Sequence, residues 1–131
     1  MKKPFSILVL VTFCLLLLST QCDEDNSLSQ IDEELQLDDL KSEIEDLANA
    51  STCGDGFECK YIAFGSKPCG GTWNYLIYST SVDTEALEEL VKNYNRKESL
   101  YNEVWGIMSD CAVVTPPTSV SCENNACVAV Y

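Results

Sequence analysis

The sequence predicts a small disulfide-stabilised α+β domain in which an antiparallel sheet packs against two helices. Three observations predict it. Two segments repeat apolar residues at helical spacing, and several short β-prone segments alternate with turn-forming residues. Six of the eight cysteines also lie in the C-terminal two-thirds of the chain, and an even set in a small exported chain is typical of a disulfide framework.

The chain begins with the pattern of a signal peptide. Lys2 and Lys3 form a basic start, and residues 5–18 form an apolar run that is too short to cross a bilayer comfortably. The run ends in small and polar residues. We therefore expect residues 1–21 to direct export.

Cys22 follows this run within Leu18-Ser19-Thr20-Gln21-Cys22. The motif resembles the lipobox of bacterial lipoproteins, in which the cysteine becomes the first residue of the mature chain and carries acyl chains. The resemblance implies lipidation of Cys22 and a lasting anchor in a membrane. Gln21 departs from the Gly, Ala or Ser that the family prefers at its position.

The residues after Cys22 indicate which membrane of the cell envelope would hold the protein. Asp23-Glu24-Asp25 resembles the export signal that carries lipoproteins to the cell surface in the Bacteroidota. In the enterobacterial scheme, an aspartate at this position would instead retain the protein at the inner membrane. We expect a lipid-anchored protein of the cell envelope, at the outer membrane or cell surface rather than the inner membrane.

The chain is strongly acidic, with 21 acidic and 8 basic residues and a formal net charge of −13. This balance argues against a nucleic-acid partner, because phosphate binding needs a basic face. Eleven of the acidic residues lie between Asp23 and Asp46. Residues 22–36 are therefore predicted to be a flexible acidic tether, and residues 37–131 a cysteine-rich α+β domain.

The first predicted helix begins near Leu37. Apolar residues then recur at steps of three and four, and Asp38 is its candidate N-cap. Ile31 and Leu35 could extend the apolar stripe backward, which leaves the start open. The residues of the stripe are Leu37, Leu40, Ile44 and Leu47.

A β-hairpin is predicted next. Residues 60–64 and 73–79 are β-prone, and the glycine-rich residues 65–71, here called the hairpin loop, join them. Strand alternation places Trp73, Tyr75 and Ile77 on one face of the second strand.

The second predicted helix has the clearest boundaries. Asp83 is its N-cap, Glu85 lies in its first turn, and Gly106 stands at its C-terminal cap. Val82 and Leu87 are spaced as a hydrophobic staple.

The C-terminal segment predicts one buried strand and one hairpin. Residues 111–114 have the composition of a buried strand, and Pro116-Pro117 forces a turn after them. Cys122 and Cys127 then flank a tight closing hairpin, and we expect a disulfide between them. The predicted order is α-β-β-α-β-β-β, an α+β unit.

These segments together resemble an uncharacterised family of exported bacterial proteins and putative lipoproteins. The resemblance spans roughly residues 40–128 and implies the domain limits and the exported setting, but no activity. The motifs that carry it are Glu58-Cys59, Lys67-Pro68-Cys69-Gly70-Gly71, Tyr75-Leu76-Ile77-Tyr78-Ser79, Ser109-Asp110-Cys111-Ala112-Val113-Val114 and the Cys122/Cys127 pair.

The residue types present give little support to a catalytic site or a metal site. The chain has no histidine, so Ser–His or Cys–His catalysis lacks its base and zinc lacks a common ligand. We expect no metal, no cofactor and no enzyme activity. A hydrolase that uses Asp55, Glu58 and Asp110 is an alternative, although Asp55 and Asp110 have the positions of ordinary turn residues. Calcium binding by Asp55 and Glu58 has only weak support.

The hairpin loop is the candidate contact surface. Its glycines could form an anion-binding nest, or serve only a turn around Cys69. A bond from Cys69 to a distant segment, such as the one around Cys111, would pin the loop, and a pinned loop loses little entropy on binding. We therefore predict that a ligand contacts Lys67 and Trp73 more than the long helix.

The function expected from these features is that of a binding or structural module. Its partner would be a protein or glycan of the cell envelope or of the extracellular space. A second class is a secreted protease inhibitor, for which residues 115–118, between Cys111 and Cys122, offer the candidate loop. We expect the six cysteines to pair, and they are Cys53, Cys59, Cys69, Cys111, Cys122 and Cys127.

Overall fold

The structure, a computed structural model, describes residues 22–131, with side chains from Ser27 onward. The predicted signal peptide, residues 1–21, and the side chain of Cys22 lie outside the described residues. Residues Glu34–Tyr131 form one compact unit. The elements in chain order are α1 (Cys22–Asn49), β1 (Cys59–Phe64), β2 (Asn74–Ser79), α2 (Thr84–Trp105), β3 (Ser119–Glu123) and β4 (Ala126–Val130).

Helix α1 begins well before the predicted start at Leu37. Residues 22–36 are helical rather than irregular, and Asp38 is an internal helix residue rather than an N-cap. That residues 22–36 serve as an acidic tether stays a prediction. The segment contains neither glycine nor proline, and its Glu, Gln and Leu residues favour helix. Within residues 22–131, neither helix has the length and apolar character that a membrane span requires.

The core is small and lies where α1, α2 and the first hairpin meet. Helix α1 contributes two buried residues, the hairpin two and α2 three. They are Ile44, Ala48, Phe64, Tyr78, Leu87, Val91 and Tyr94. The predicted α+β class is confirmed, with two small antiparallel sheets in place of the single sheet that was expected.

Strands β1 and β2 form the predicted hairpin, with Phe64 opposite Asn74 at the loop end. Within β2, strand alternation gives the predicted opposite faces for Tyr78, which is buried in the core, and Tyr75. The Tyr75 ring meets that of Tyr61 edge-on, with the ring centroids 5.7 Å apart.

Trp73 was expected on the face of Tyr75, but it precedes β2. It lies beside the core residues Phe64 and Tyr94, so strand alternation does not describe its position.

Helix α2 has both of its predicted caps. The carboxylate of Asp83 accepts a hydrogen bond of 3.0 Å from the amide of Ala86, which satisfies one of the free N–H groups of the first turn. At the other end, Gly106 adopts a left-handed conformation (φ 61°) and its amide donates to the carbonyl of Asn102.

Strands β3 and β4 form the predicted closing hairpin. Asn124 and Asn125 make its two-residue turn, and both have positive φ (51° and 64°), as a type I′ turn requires. The predicted strand at residues 111–114 is wrong, because this segment has no regular secondary structure. Cys111 is tied to the hairpin loop, and Val113 is 92% exposed.

The six predicted disulfide cysteines are all paired. The bonds are Cys53–Cys122, Cys59–Cys127 and Cys69–Cys111. Cys122 and Cys127 lie opposite each other in the β3–β4 register, as the prediction assumed. The expected bond between them is nevertheless wrong, because residues directly opposite in a hairpin share one face, and each finds its partner in the 53–59 segment that lies against that face.

Candidate functional site

The hairpin loop is fastened to one side of α2. The amide of Gly65 donates to Asn95 Oδ1 at 2.7 Å, and the amide of Ser66 donates to the carboxylate of Glu98. Asn102 donates from Nδ2 to the carbonyl of Ser66 at 2.7 Å. Three successive turns of α2 therefore hold the first two residues of the loop.

The middle of the loop is held by the segment that follows α2. Cys69 is bonded to Cys111, which meets the condition under which the sequence predicted a pinned loop. Beside it, Lys67 Nζ lies 3.1 Å from the carboxylate of Asp110 and donates to the carbonyl of Ala112 at 2.8 Å. The loop is therefore braced on both sides before any ligand arrives.

Lys67 and Trp73, the two predicted ligand contacts, occupy different environments. Lys67 is 7% exposed and its ammonium is engaged within the fold, whereas Trp73 is 42% exposed. The ammonium also lies 5.0 Å from the centroid of the Trp73 ring, a cation–π distance. Lys67 therefore packs beneath the Trp73 ring within the fold. Ligand contact stays a prediction, and Trp73 is the more accessible of the two residues for it.

Gly65 allows the tryptophan to pack against the backbone. A Cβ added at this glycine would lie 2.6 Å from Trp73 Cδ1 and 3.2 Å from a carboxylate oxygen of Glu98. The φ of Gly65 is +84°, a region that other residues rarely adopt. The sequence therefore needs glycine here for both conformation and space.

Trp73 stands at a cleft of about 390 Å³, here called the Trp73 cleft. Helix α1, the end of the hairpin and α2 each supply part of its wall. Its aromatic lining residues are Phe64, Trp73, Tyr94 and Tyr101, and its polar and charged lining residues are Glu34, Asp38, Lys41, Asn74, Glu98 and Asn102.

The cleft carries a surplus of negative charge. Its lining holds three carboxylates, from Glu34, Asp38 and Glu98, against one ammonium, from Lys41. Burial raises the pKa of the Tyr94 hydroxyl, and the neighbouring carboxylate of Glu98 raises it further, with a smaller contribution from Asp38. The phenol therefore stays neutral, and it donates to Glu98 at 3.1 Å.

Sequence reasoning missed the contribution of α1 to this site. Glu34 was assigned to the tether, and Asp38 to a helix cap. A longer predicted helix would have revealed this face. Residues three and four apart are neighbours on a helix surface, and this is the spacing of Glu34, Asp38 and Lys41.

The other sequence candidates lie in separate surroundings. Asp110 is ion-paired to Lys67, and Asp55 is an exposed residue at positive φ (49°) in the Gly-Asp-Gly turn. The sulfur atoms of Cys53, Cys59 and Cys127 lie within 4.8 Å of one another, but all three are in disulfides and cannot serve as thiolate ligands.

The segment that was considered as an inhibitory loop, residues 115–118, is attached to the fold. Pro117 is buried, and the amide of Thr118 donates to the carbonyl of Val130 at 2.8 Å. The inhibitor hypothesis stays a prediction. The highly exposed Val113, with 92% of its surface accessible, lies before this segment.

The chain shows no match to known protein families, to curated proteins or to solved structures. The resemblance to exported bacterial proteins therefore stays an expectation from the sequence.

Proposed function

We propose that this protein is a membrane-anchored extracytoplasmic binding module that takes its ligand at the Trp73 cleft. The observation that carries the proposal is a half-exposed tryptophan at the edge of a cleft of about 390 Å³. Clefts of this size with aromatic walls and a few polar groups are the usual form of small binding sites.

The support given to the hairpin loop favours binding. A mobile loop must lose conformational freedom when it orders around a ligand, at a cost of about 0.5–1.5 kcal/mol for each immobilised side chain. Here Cys69 is bonded to Cys111, and Lys67 is held by Asp110 and Ala112. Much of that cost is met during folding, which leaves Trp73 preorganised.

The absence of histidine from the sequence supports contact rather than catalysis as the mode of action. A base of near-neutral pKa would have to come from a strongly perturbed group of another type. Of the candidate carboxylates, Asp55 is exposed in a turn and Asp110 is ion-paired to Lys67. We therefore propose a module that works without chemistry of its own.

The anchor is tested at Cys22. In an expressing bacterium, the native chain should incorporate a labelled fatty acid and partition into detergent, and Cys22→Ser should lose both properties, because the thiol is the acylation site. Labelling of the membrane fraction, followed by detergent phase separation, measures this. A Cys22→Ser protein that remains labelled and membrane-bound would contradict the proposed anchor.

The binding site is tested by capture from cell envelope. Trp73→Ala should lose most of the bound partner, since aromatic hot-spot residues contribute about 2 kcal/mol or more to binding. Tyr61→Ala is the matched control, because Tyr61 is 41% exposed but lies outside the cleft lining. Equal capture by the native protein and Trp73→Ala, with the fold intact, would disprove the site.

A further inference from the structure

We propose that the occupant of the Trp73 cleft is a basic side chain, arginine or lysine, presented by a polypeptide segment of a partner protein. This inference deepens the proposed binding function and rests on it. It follows from the charge of the cleft, the nature of its walls and its size.

The charge of the lining favours a cation. Glu34 and Asp38 lie one helical turn apart on α1, and within the described residues neither carboxylate takes part in a hydrogen bond or an ion pair. Glu98 adds a third carboxylate from α2. An anionic ligand would meet like charge both here and in the protein as a whole, whose formal net charge is −13.

The aromatic walls suit a cation that carries an apolar stem. The faces of tryptophan and tyrosine rings attract ammonium and guanidinium groups, and their surfaces pack against methylene groups. The Trp73 ring already receives one ammonium in this structure, that of Lys67, at 5.0 Å from its centroid. Lys67 is not part of the cleft lining, so this internal contact leaves the cleft side of the site to a ligand.

The size of the cleft favours a side chain over a large ligand. A volume of about 390 Å³ is near the lower end of the range for ligand sites, roughly 300–1,000 Å³. One long side chain with part of its backbone would occupy such a space. Asn74, an exposed residue of the lining, has an amide group of the kind that binds a peptide backbone.

The test is a titration of the full chain, followed by NMR, with three short peptides that differ at one position. The position carries arginine, its neutral analogue citrulline, or glutamate. We expect the arginine peptide to shift the Trp73 indole and Gly65 amide signals, and to bind about tenfold more tightly than the citrulline peptide, since the cation is the favoured group. Added salt should weaken its binding.

Two variants test whether the arginine peptide binds at the carboxylates of the Trp73 cleft. Asp38→Asn combined with Glu34→Gln should weaken binding of the arginine peptide about tenfold, because it removes two of the three carboxylates. Asp39→Asn is the matched control: Asp39 adjoins Asp38 on α1 and is exposed, but it does not line the cleft.

The outcomes separate this inference from the proposed function. Equal binding of the arginine and citrulline peptides at Trp73, or Trp73-dependent binding of a neutral oligosaccharide alone, would overturn the cationic occupant and leave the binding module standing. Binding of the arginine peptide that is unchanged by Trp73→Ala and by the Asp38/Glu34 variant would overturn both. No binding of any peptide at millimolar concentration would overturn the inference, and the capture experiment would then judge the function separately.

Discussion

Without the Cys53–Cys122 and Cys59–Cys127 disulfides, the domain is expected not to fold. The two bonds close loops of 69 and 68 residues. Because a disulfide restricts the unfolded chain, the first bond is expected to raise the free energy of unfolding by about 4 kcal/mol. The second adds less, because the first already holds the same two segments together. Together, the two contributions are comparable to the whole stability of a small domain, about 5–15 kcal/mol. The hydrophobic core cluster within residues 27–131 has seven buried members, so it is a small one.

Urea unfolding followed by circular dichroism measures this effect. Alanine at all four cysteines should abolish the cooperative transition, and Cys53→Ala with Cys122→Ala alone should lower the free energy of unfolding by about 2–5 kcal/mol. A four-fold variant that retains a cooperative transition, with a loss of less than about 1 kcal/mol, would show that the core alone specifies the fold.

Gly65→Ala is expected to destabilise the domain and to displace Trp73. The substitution places a Cβ 2.6 Å from Trp73 Cδ1 and forces alanine into a left-handed conformation at φ +84°. The backbone effect alone costs about 1–2 kcal/mol. The indole must also move, and its movement changes the edge of the Trp73 cleft.

Gly70→Ala is the matched control, because Gly70 has a similar φ of +89° but open space around its added Cβ. In both variants, the strained backbone should lower the free energy of unfolding by about 1–2 kcal/mol, as measured by urea unfolding. Only Gly65→Ala should also shift the Trp73 indole signal in an NMR spectrum and weaken ligand capture. Identical effects of the two substitutions would contradict the packing of Trp73 on Gly65.

The features that the sequence predicted correctly depend on local chemistry. Asp83 and Gly106 bound α2 because a side-chain acceptor and a left-handed glycine act within one turn of a helix. Asn124 and Asn125 tolerate positive φ, which defines the closing turn regardless of the rest of the chain.

The features that could not be predicted from the sequence depend on residues that are far apart along the chain. Residues 111–114 have β-prone side chains, but Lys67 and Cys69 hold this segment away from any strand pairing. The bonding of Cys122 depends on where residue 53 lies in space, which spacing along the chain does not determine.

The candidate site was predictable only in part. The pinned hairpin loop follows from its turn residues and one cysteine, whereas strand alternation placed Trp73 with Tyr75, away from the cleft that it lines. The burial of Lys67 could not be read from the sequence, since a lysine in a glycine-rich loop is usually exposed. Its position depends on Asp110 and Ala112, which lie 43 and 45 residues further along the chain.

Photo-crosslinking from position 74 in intact cells tests the central claim, ligand contact at the Trp73 cleft, most directly. Asn74, an exposed residue of the cleft lining, is replaced by a photoreactive phenylalanine analogue, which leaves Trp73 in place. Tyr61, on the outer face of the first hairpin, is replaced in a parallel strain. We predict a discrete adduct from position 74 that is absent from position 61 and weakened by Trp73→Ala. An adduct from position 61 alone, or no adduct from position 74 in cells where the protein is folded and exported, would contradict the claim.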